Sequence, residues 1–173
     1  MRRLAITFIA FLLVSCASVG PDYKYRETIK VDPYEPDRWS HVITQRSNGR
    51  SLSEMVPKGQ TLKNWKEIIT FQFYAKEVDS HSVSQHLQTK ERLLRRACPG
   101  IKFNVLSSNE KEALYEWSIN GCIGHADQFA IARYIKTEQG IHHVGYEKKT
   151  IQKLEEEWSK WRKVIKSARV VKI

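Results

Sequence analysis

His125 and Asp127 have a spacing that suits acid–base chemistry. An imidazole beside a carboxylate is a common general base, and these two residues stand close together in a polar segment. Cys122, three residues before His125, also has the separation of a metal-ligand pair, but no second pair of ligands follows nearby. Proton transfer needs a geometry that spacing alone does not create. We therefore keep a catalytic site at His125 and Asp127 as an alternative, and we predict neither a metal site nor a cofactor.

The other histidines belong to no catalytic motif that we recognise. The sequence contains no Gly-rich phosphate loop, nucleophile elbow, His-Glu-x-x-His helix or calcium-binding loop. Ordinary solvent-facing or hydrogen-bonded histidines account for the six that are present, which are His41, His81, His86, His125, His142 and His143. Since His142 and His143 are neighbours in a strand-like segment, their side chains should point to opposite faces. We predict that the protein is not an enzyme.

Cysteine offers a second kind of chemistry. Besides Cys16, the chain contains Cys98 and Cys122. In an oxidising compartment such an even pair is expected to form one disulfide. Closing a loop of about 25 residues would stabilise the fold by roughly 3 to 4 kcal/mol. Two buried free thiols, or a metal-binding or nucleophilic pair, are the alternatives that the sequence leaves open.

The first residues have the organisation of a removable leader. Arg2 and Arg3 precede an apolar run over residues 4–14. As a helix this run would rise only about 16 Å, roughly half the thickness of the hydrocarbon core of a bilayer, which is typical of a signal peptide. The run ends in Leu-Val-Ser-Cys, from Leu13 to Cys16, and this ending resembles the lipobox of bacterial lipoproteins.

The lipobox resemblance implies a lipid anchor. In that family the cysteine receives a diacylglyceryl group, the leader is cut off before it, and the new amino terminus is commonly acylated too. Residues 1–15 would then be a signal peptide and Cys16 the lipidated residue, held stably because two or three acyl chains share one site. Ala17 favours the outer membrane, with the domain facing the periplasm. An ordinary secretory signal with an incidental cysteine is the alternative.

The chain is strongly basic, with a formal net charge of +10. Loss of Arg2 and Arg3 with the leader would leave 10 − 2 = +8. A tethered envelope protein rarely meets nucleic acid, so we expect as partners the membrane itself and another envelope protein or an anionic envelope component. One predicted helix carries a possible patch for an anionic partner, formed by Lys90, Arg92, Arg95 and Arg96. A solvated helix face is the alternative explanation.

The remaining chain divides into a linker and one domain. Residues 16–38 contain three of the five prolines and little aliphatic periodicity, which predicts a flexible linker with a reach of roughly 25 Å. Residues 39–173 have the length of a single globular domain. Its strand-like segments lie at about residues 41–45, 52–56, 65–75, 101–106, 113–120, 128–137 and 141–148, and Asn48-Gly49 predicts a tight hairpin turn.

Two amphipathic helices complete the domain. Ser82 should cap a helix that ends before Pro99-Gly100, and Thr150 should cap a closing helix with Trp158 and Trp161 on its apolar stripe. The short connections between strands imply antiparallel neighbours. We predict an α+β fold with a largely antiparallel sheet of about six to seven strands and two packed helices.

The region from about residue 50 to 171 resembles a group of small proteobacterial envelope proteins. The resemblance rests on Met55-Val56-Pro57-Lys58-Gly59-Gln60, Trp65, Cys98-Pro99-Gly100 and the closing Trp-rich helix. It implies a three-layer arrangement similar to the PsbP-type α/β/α sandwich, and it carries over no functional residue. Fold-level likeness is a poor guide to function.

These patterns together favour a non-enzymatic, lipid-anchored envelope lipoprotein. It would act as a binding, assembly or scaffold module for another envelope component. One alternative is a cell-wall-modifying hydrolase with its site near His125 and Asp127. Another is a protein that captures a small lipid or a polyanion between the sheet and a helix.

Overall fold

The structure is a computed structural model that describes residues 26–31, 36–150 and 155–173. The predicted signal peptide, Cys16 and much of the predicted linker lie outside these residues, as do residues 151–154 at the expected start of the closing helix. No helix in the described part of the chain is long and apolar enough to cross a membrane.

A seven-stranded antiparallel sheet forms the centre of the fold. Its strands follow the spatial order β2-β3-β4-β8-β7-β6-β5. They are β2 (Trp39–Ser47), β3 (Arg50–Pro57), β4 (Glu67–Ala75), β5 (Lys102–Ser108), β6 (Glu112–Ile119), β7 (Gln128–Lys136) and β8 (Gly140–Lys149). The predicted α+β class and all seven predicted strands are confirmed.

A two-residue turn at Asn48 and Gly49 joins β2 to β3. Both residues have positive φ, 47° and 70°, as a turn of this length between antiparallel strands requires. The carbonyl of Gly49 accepts a hydrogen bond from the backbone N–H of Ala75 at 2.7 Å, which ties the turn to the end of β4. The predicted hairpin is confirmed.

Two helices cover opposite faces of the sheet, α1 (Val83–Ala97) and α2 (Glu155–Lys166). Successive side chains of β7 belong in turn to the buried clusters on the two faces of the sheet. Phe129 and Ile131 pack in the same cluster as α2, whereas Ala130 and Ala132 pack in the cluster that contains α1. Because successive side chains of a strand point to opposite faces, the helices form the outer layers of an α/β/α arrangement.

Helix α1 has the ends that the sequence predicts. Ser82 accepts a hydrogen bond from the backbone N–H of Gln85, and the Gln85 side chain accepts one from the backbone N–H of Ser82. This reciprocal capping box satisfies two N–H groups at the start of the helix. At the other end, Cys98 is joined to Cys122 by the predicted disulfide, with a Cα–Cα distance of 5.8 Å.

The apolar stripe of α2 packs against the sheet as predicted. Trp158 and Trp161 are buried, and the Trp161 ring stacks on Tyr146 with ring centroids 3.8 Å apart. Trp39 meets the same indole edge-on at 5.8 Å. The helix is therefore held by aromatic packing, with the first strand of the sheet included in the same core.

The structure corrects the predicted linker. Part of residues 16–38 forms a strand, β1 (Glu27–Lys30), which pairs antiparallel with β9 (Arg169–Lys172). Val31 is buried in the core on the α2 face, and a 3-10 helix, Pro36–Arg38, leads into β2. The globular unit thus begins before residue 39. A four-residue strand whose partner lies about 140 residues away leaves no local hairpin signal, so the sequence pattern did not reveal it.

Candidate functional site

The β1–β9 pair lies over the α2-side face of the main sheet and encloses a groove of about 580 Å³ with it. We call this the ribbon groove. Its lining comes from β1, β2, β3, β4, β8 and the carboxyl end of the chain. Three distant parts of the sequence therefore have to fold together before the groove exists.

The floor of the ribbon groove is apolar. Met55 and Phe73 are buried there, and Phe71 is half-buried. Across the groove, Ile29 of β1 and Val31, which directly follows this strand, point inwards, because alternate residues of an extended chain share a face. Apolar walls on two sides favour an occupant with apolar surface.

The rim of the groove is polar. His41 Nδ1 and Ser53 Oγ form a hydrogen bond of 3.2 Å across β2 and β3. Thr44 and Arg46 are exposed on β2 at the same side, and Lys30 is exposed on β1. The groove thus combines an apolar floor with hydroxyl, imidazole and cationic groups at its mouth.

A buried histidine marks the β8 side of the groove. The Nε2 of His142 lies 3.2 Å from a carboxylate oxygen of Glu27, and its ring packs on Phe73 with centroids 4.6 Å apart. Burial lowers the pKa of His142 and outweighs the opposing effect of Glu27. A neutral imidazole that donates Nε2–H to Glu27 fits this environment, and it ties β1 to the main sheet.

The predicted acid–base pair does not assemble. Asp127 Oδ1 accepts a hydrogen bond from the backbone N–H of Gly121 at 2.7 Å, and its carbonyl accepts one from the N–H of Thr150 at 3.0 Å. His125 is exposed, and no hydrogen bond or ion pair joins it to Asp127 in the described structure. The contacts of Asp127 brace a loop between β6 and β7.

The four predicted cations do not share one helix face, which corrects the predicted patch. Lys90 follows Val83 by seven residues and Leu87 by three, so it lies within the stripe that faces the sheet. Its Nζ sits 5.8 Å from the centre of the Trp117 ring. The helical spacing from Val83 and Leu87 could have predicted this position, because residue 90 falls on the buried stripe although it is a lysine.

The other three cations are exposed, in two different settings. Arg95 forms an ion pair with Glu91, one turn earlier on α1, at 2.8 Å. Arg92 and Arg96 are exposed on the outer side of the helix. The surface available to an anionic partner is therefore smaller than the sequence predicts.

Between α1 and the sheet lies a buried polar contact that the sequence did not reveal. The hydroxyl of Tyr115 and Nε2 of His143 are 3.1 Å apart, and both side chains are buried. Burial lowers the pKa of His143 to about 3, with smaller contributions from the nearby cation Lys90 and from His86. As predicted, His142 and His143 point to opposite faces of β8.

A second unpredicted group lies where β4 ends and α1 begins. Asp79 Oδ1 is 2.7 Å from His81 Nδ1 and 3.5 Å from His86 Nε2. Burial works to raise the pKa of Asp79, but the hydrogen bonds from His81 outweigh it and the pKa is lowered. Asp79 and His81 are two residues apart in the sequence, and His86 follows five residues later, so this spacing could have been recognised.

Comparison with known proteins identifies the chain at the level of a family. A search of curated proteins found no match. A protein-family model matches residues 34–171, which include the whole seven-stranded sheet and both helices. The chain therefore belongs to this family, whose members are uncharacterised proteins typical of Haemophilus-type bacteria.

Proposed function

We propose that this protein is a lipid-anchored envelope lipoprotein that works as a non-enzymatic binding module. The ribbon groove is the binding site of this proposal, and Cys16 is its point of lipid attachment. The observation that carries the proposal is the groove of about 580 Å³ between β1 and the main sheet, because its floor is apolar and its rim is polar.

The size and lining of the groove support ligand binding. Sites for small molecules in proteins enclose about 300 to 1,000 Å³ and combine apolar walls with a few polar groups. The ribbon groove has both features, since Phe71 and Phe73 line the floor while His41 and Ser53 stand at the rim. A packed core on the other face, around Tyr115, gives the site a fixed support.

The chemistry of the groove fits an amphipathic anion with an acyl chain. The acyl chain would lie against Met55 and the phenyl rings of β4. Burial of apolar surface there would contribute about 25 cal/mol per Å² to the free energy of binding. The anionic end would face the exposed cation Arg46 at the rim. A lipid anchor at Cys16 would keep such a site next to a membrane, where amphipathic anions are concentrated.

A groove-filling variant tests this proposal. Ser53→Trp introduces an indole into the half-buried rim position of β3, and it should weaken binding at least tenfold because the ring occupies the space of the ligand. The probe is a fluorescent fatty acid, 11-(dansylamino)undecanoic acid, titrated into the full chain in a detergent of high critical micelle concentration. Ser107→Trp is the matched control, since it adds the same ring to an exposed position of strand β5.

The outcome separates groove binding from general apolar adsorption. The proposal expects one saturable site in the wild type and in Ser107→Trp, and a weakened site in Ser53→Trp. Equal affinity in all three proteins, with circular dichroism unchanged, contradicts the assignment of the groove. The absence of saturable binding to the wild type would contradict the acyl-chain ligand.

A further inference from the structure

A metal site can be built from three side chains that the proposed function does not use. Asp79, His81 and His86 present one carboxylate oxygen and two imidazole nitrogens, all within 4.8 Å of one another. We propose that these three residues bind a divalent transition-metal ion of the zinc class. This inference is independent of the ribbon groove, which lies on the other face of the sheet.

The set of donor atoms selects the class of metal. Two imidazoles with one carboxylate form a nitrogen-rich site, which suits zinc, copper or nickel, whereas calcium and magnesium take ligand sets made of oxygen. In a tetrahedral zinc site with bonds of about 2.0 to 2.2 Å, ligand atoms lie roughly 3.3 to 3.6 Å apart. The Asp79–His86 separation of 3.5 Å already has this value.

The distance between Asp79 Oδ1 and His81 Nδ1 would increase by less than one ångström on metal binding. Asp79 Oδ1 and His81 Nδ1 are hydrogen-bonded at 2.7 Å, so a metal would replace the shared proton and move the two atoms slightly apart. His81 is exposed in the segment between β4 and α1, and it is the ligand with the greatest freedom to adjust. Metal binding therefore requires no rearrangement of the sheet.

The other two ligands are held in place by the fold. Ser82 caps α1, and its carbonyl accepts the backbone N–H of His86 at 3.0 Å, which fixes that residue in the first turn of the helix. The imidazole of His86 packs against Tyr74 and Tyr134, with ring centroids 4.8 and 5.5 Å away. A ligand whose ring is held by packing loses little conformational entropy when it binds a metal.

An unsatisfied nitrogen points to an external ligand. His86 Nε2 is buried and makes no hydrogen bond within the described chain, although it lies 3.5 Å from Asp79 Oδ1. The side chains of Asp79 and His86 are only 6% and 11% exposed, whereas that of His81 is 58% exposed. A buried polar atom that makes no hydrogen bond is costly, and a metal that enters from the His81 side would remove that cost.

Arg50 is the nearby group that opposes a cation. Its guanidinium lies 3.8 Å from Asp79 Oδ2, which is not the oxygen that faces the two histidines. The Arg50 side chain is 60% exposed, so solvent screens its charge. Three protein ligands would leave one position of a tetrahedral ion for water or an added ligand.

Isothermal titration with Zn²⁺ tests the site. The protein is the full chain with Cys16→Ala, purified in detergent and treated with EDTA, so that the cysteine outside the disulfide supplies no thiolate. We expect one Zn²⁺ per chain, with affinity at least tenfold weaker in His81→Ala, His86→Ala and Asp79→Asn. His125→Ala is the matched control, because it removes an exposed histidine outside the cluster and should leave binding unchanged.

The readouts distinguish a specific site from surface adsorption. His81 is exposed, so His81→Ala keeps the fold, and circular dichroism checks the half-buried His86 variant. The melting temperature of the parent protein should rise with Zn²⁺, because the ion binds the folded state, and this rise should vanish in His81→Ala. The proposal is overturned if the parent protein binds no stoichiometric Zn²⁺, if the three variants bind Zn²⁺ as tightly as the parent protein, or if His125→Ala loses the binding.

Discussion

Single buried histidines make this fold sensitive to acid. His143 lies between α1 and the sheet, where Nε2 contacts Tyr115 and Nδ1 has no hydrogen-bond partner among the described residues. Its pKa of about 3 lies well below the ordinary value of 6.5. The folded state therefore favours the neutral ring, and protonation favours the unfolded chain.

The pH dependence has a definite direction. A group with a depressed folded pKa stabilises the fold fully above its unfolded pKa, and that stabilisation is lost as the pH falls from about 6.5 towards 3. One pKa unit corresponds to about 1.4 kcal/mol, so the wild type should lose several kcal/mol between pH 7 and pH 4. His143→Gln cannot titrate and should lose distinctly less over the same range.

Urea unfolding at pH 7, 6, 5 and 4 measures this difference. His125→Gln is the control, since it replaces an exposed histidine and should follow the wild type. The depressed pKa values of His142 and His86 leave some acid sensitivity in every variant. Parallel curves for the wild type and His143→Gln would contradict the assignment to His143.

At the scale of elements, the disulfide ties α1 to the loop after β6. Cys98 is the residue that ends the helix, and its sulfur is bonded to Cys122, 24 residues later. A cross-link over a loop of this length reduces the entropy of the unfolded chain. The double variant Cys98→Ala with Cys122→Ala should lower the free energy of unfolding by about 3 to 4 kcal/mol.

Urea denaturation with and without a reductant checks this value. The wild type in dithiothreitol should resemble the double variant, and the double variant should not respond to dithiothreitol. A loss below about 1 kcal/mol would indicate that the closed loop does not restrict the unfolded chain. The response of the wild type to dithiothreitol in a membrane-free preparation also shows whether the purified protein contains the disulfide.

Elements with local signals were predictable from the sequence, and those that depend on distant partners were not. The Asn48-Gly49 turn and the Ser82 cap are local, because positive φ and side-chain capping involve residues within a few positions. The strand pair β1–β9 joins residues near the two ends of the described chain. Its four-residue strands carry too little alternation to be recognised singly.

The same limit applies to the candidate sites. The ribbon groove depends on the contact of β1 with the main sheet, which no sequence motif predicts. The part-buried Glu27–His142 contact that joins them links residues 115 positions apart. The position of Lys90, in contrast, follows from a local signal. Helical spacing places it on the face of α1 that packs on the sheet, although its charge suggested the solvent-facing side. Spacing was the better guide there because the long aliphatic stem can pack before the ammonium reaches a ring.

At the scale of the whole molecule, the layers separate two surfaces with different chemistry. The α2 face holds the ribbon groove beside β1, and the α1 face holds the Asp79, His81 and His86 cluster. A family model that covers residues 34–171 includes the cluster and most of the groove but stops short of β1. The segment that closes the groove is thus the one nearest the proposed anchor.

The proposed anchor is tested by removing its sulfur. Cys16→Ala should prevent acylation, and because two or three acyl chains contribute about 0.8 kcal/mol per buried methylene, membrane attachment through lipid should be lost. In cells that express the full chain, the wild type should fractionate with membranes and mass spectrometry should find acyl mass on the peptide that begins at Cys16. Ser15→Gly, which keeps a small residue before the cysteine, is the matched control and should stay acylated. An unacylated wild type that is recovered in the soluble fraction would contradict the anchor and leave the groove and the zinc site to be tested on their own.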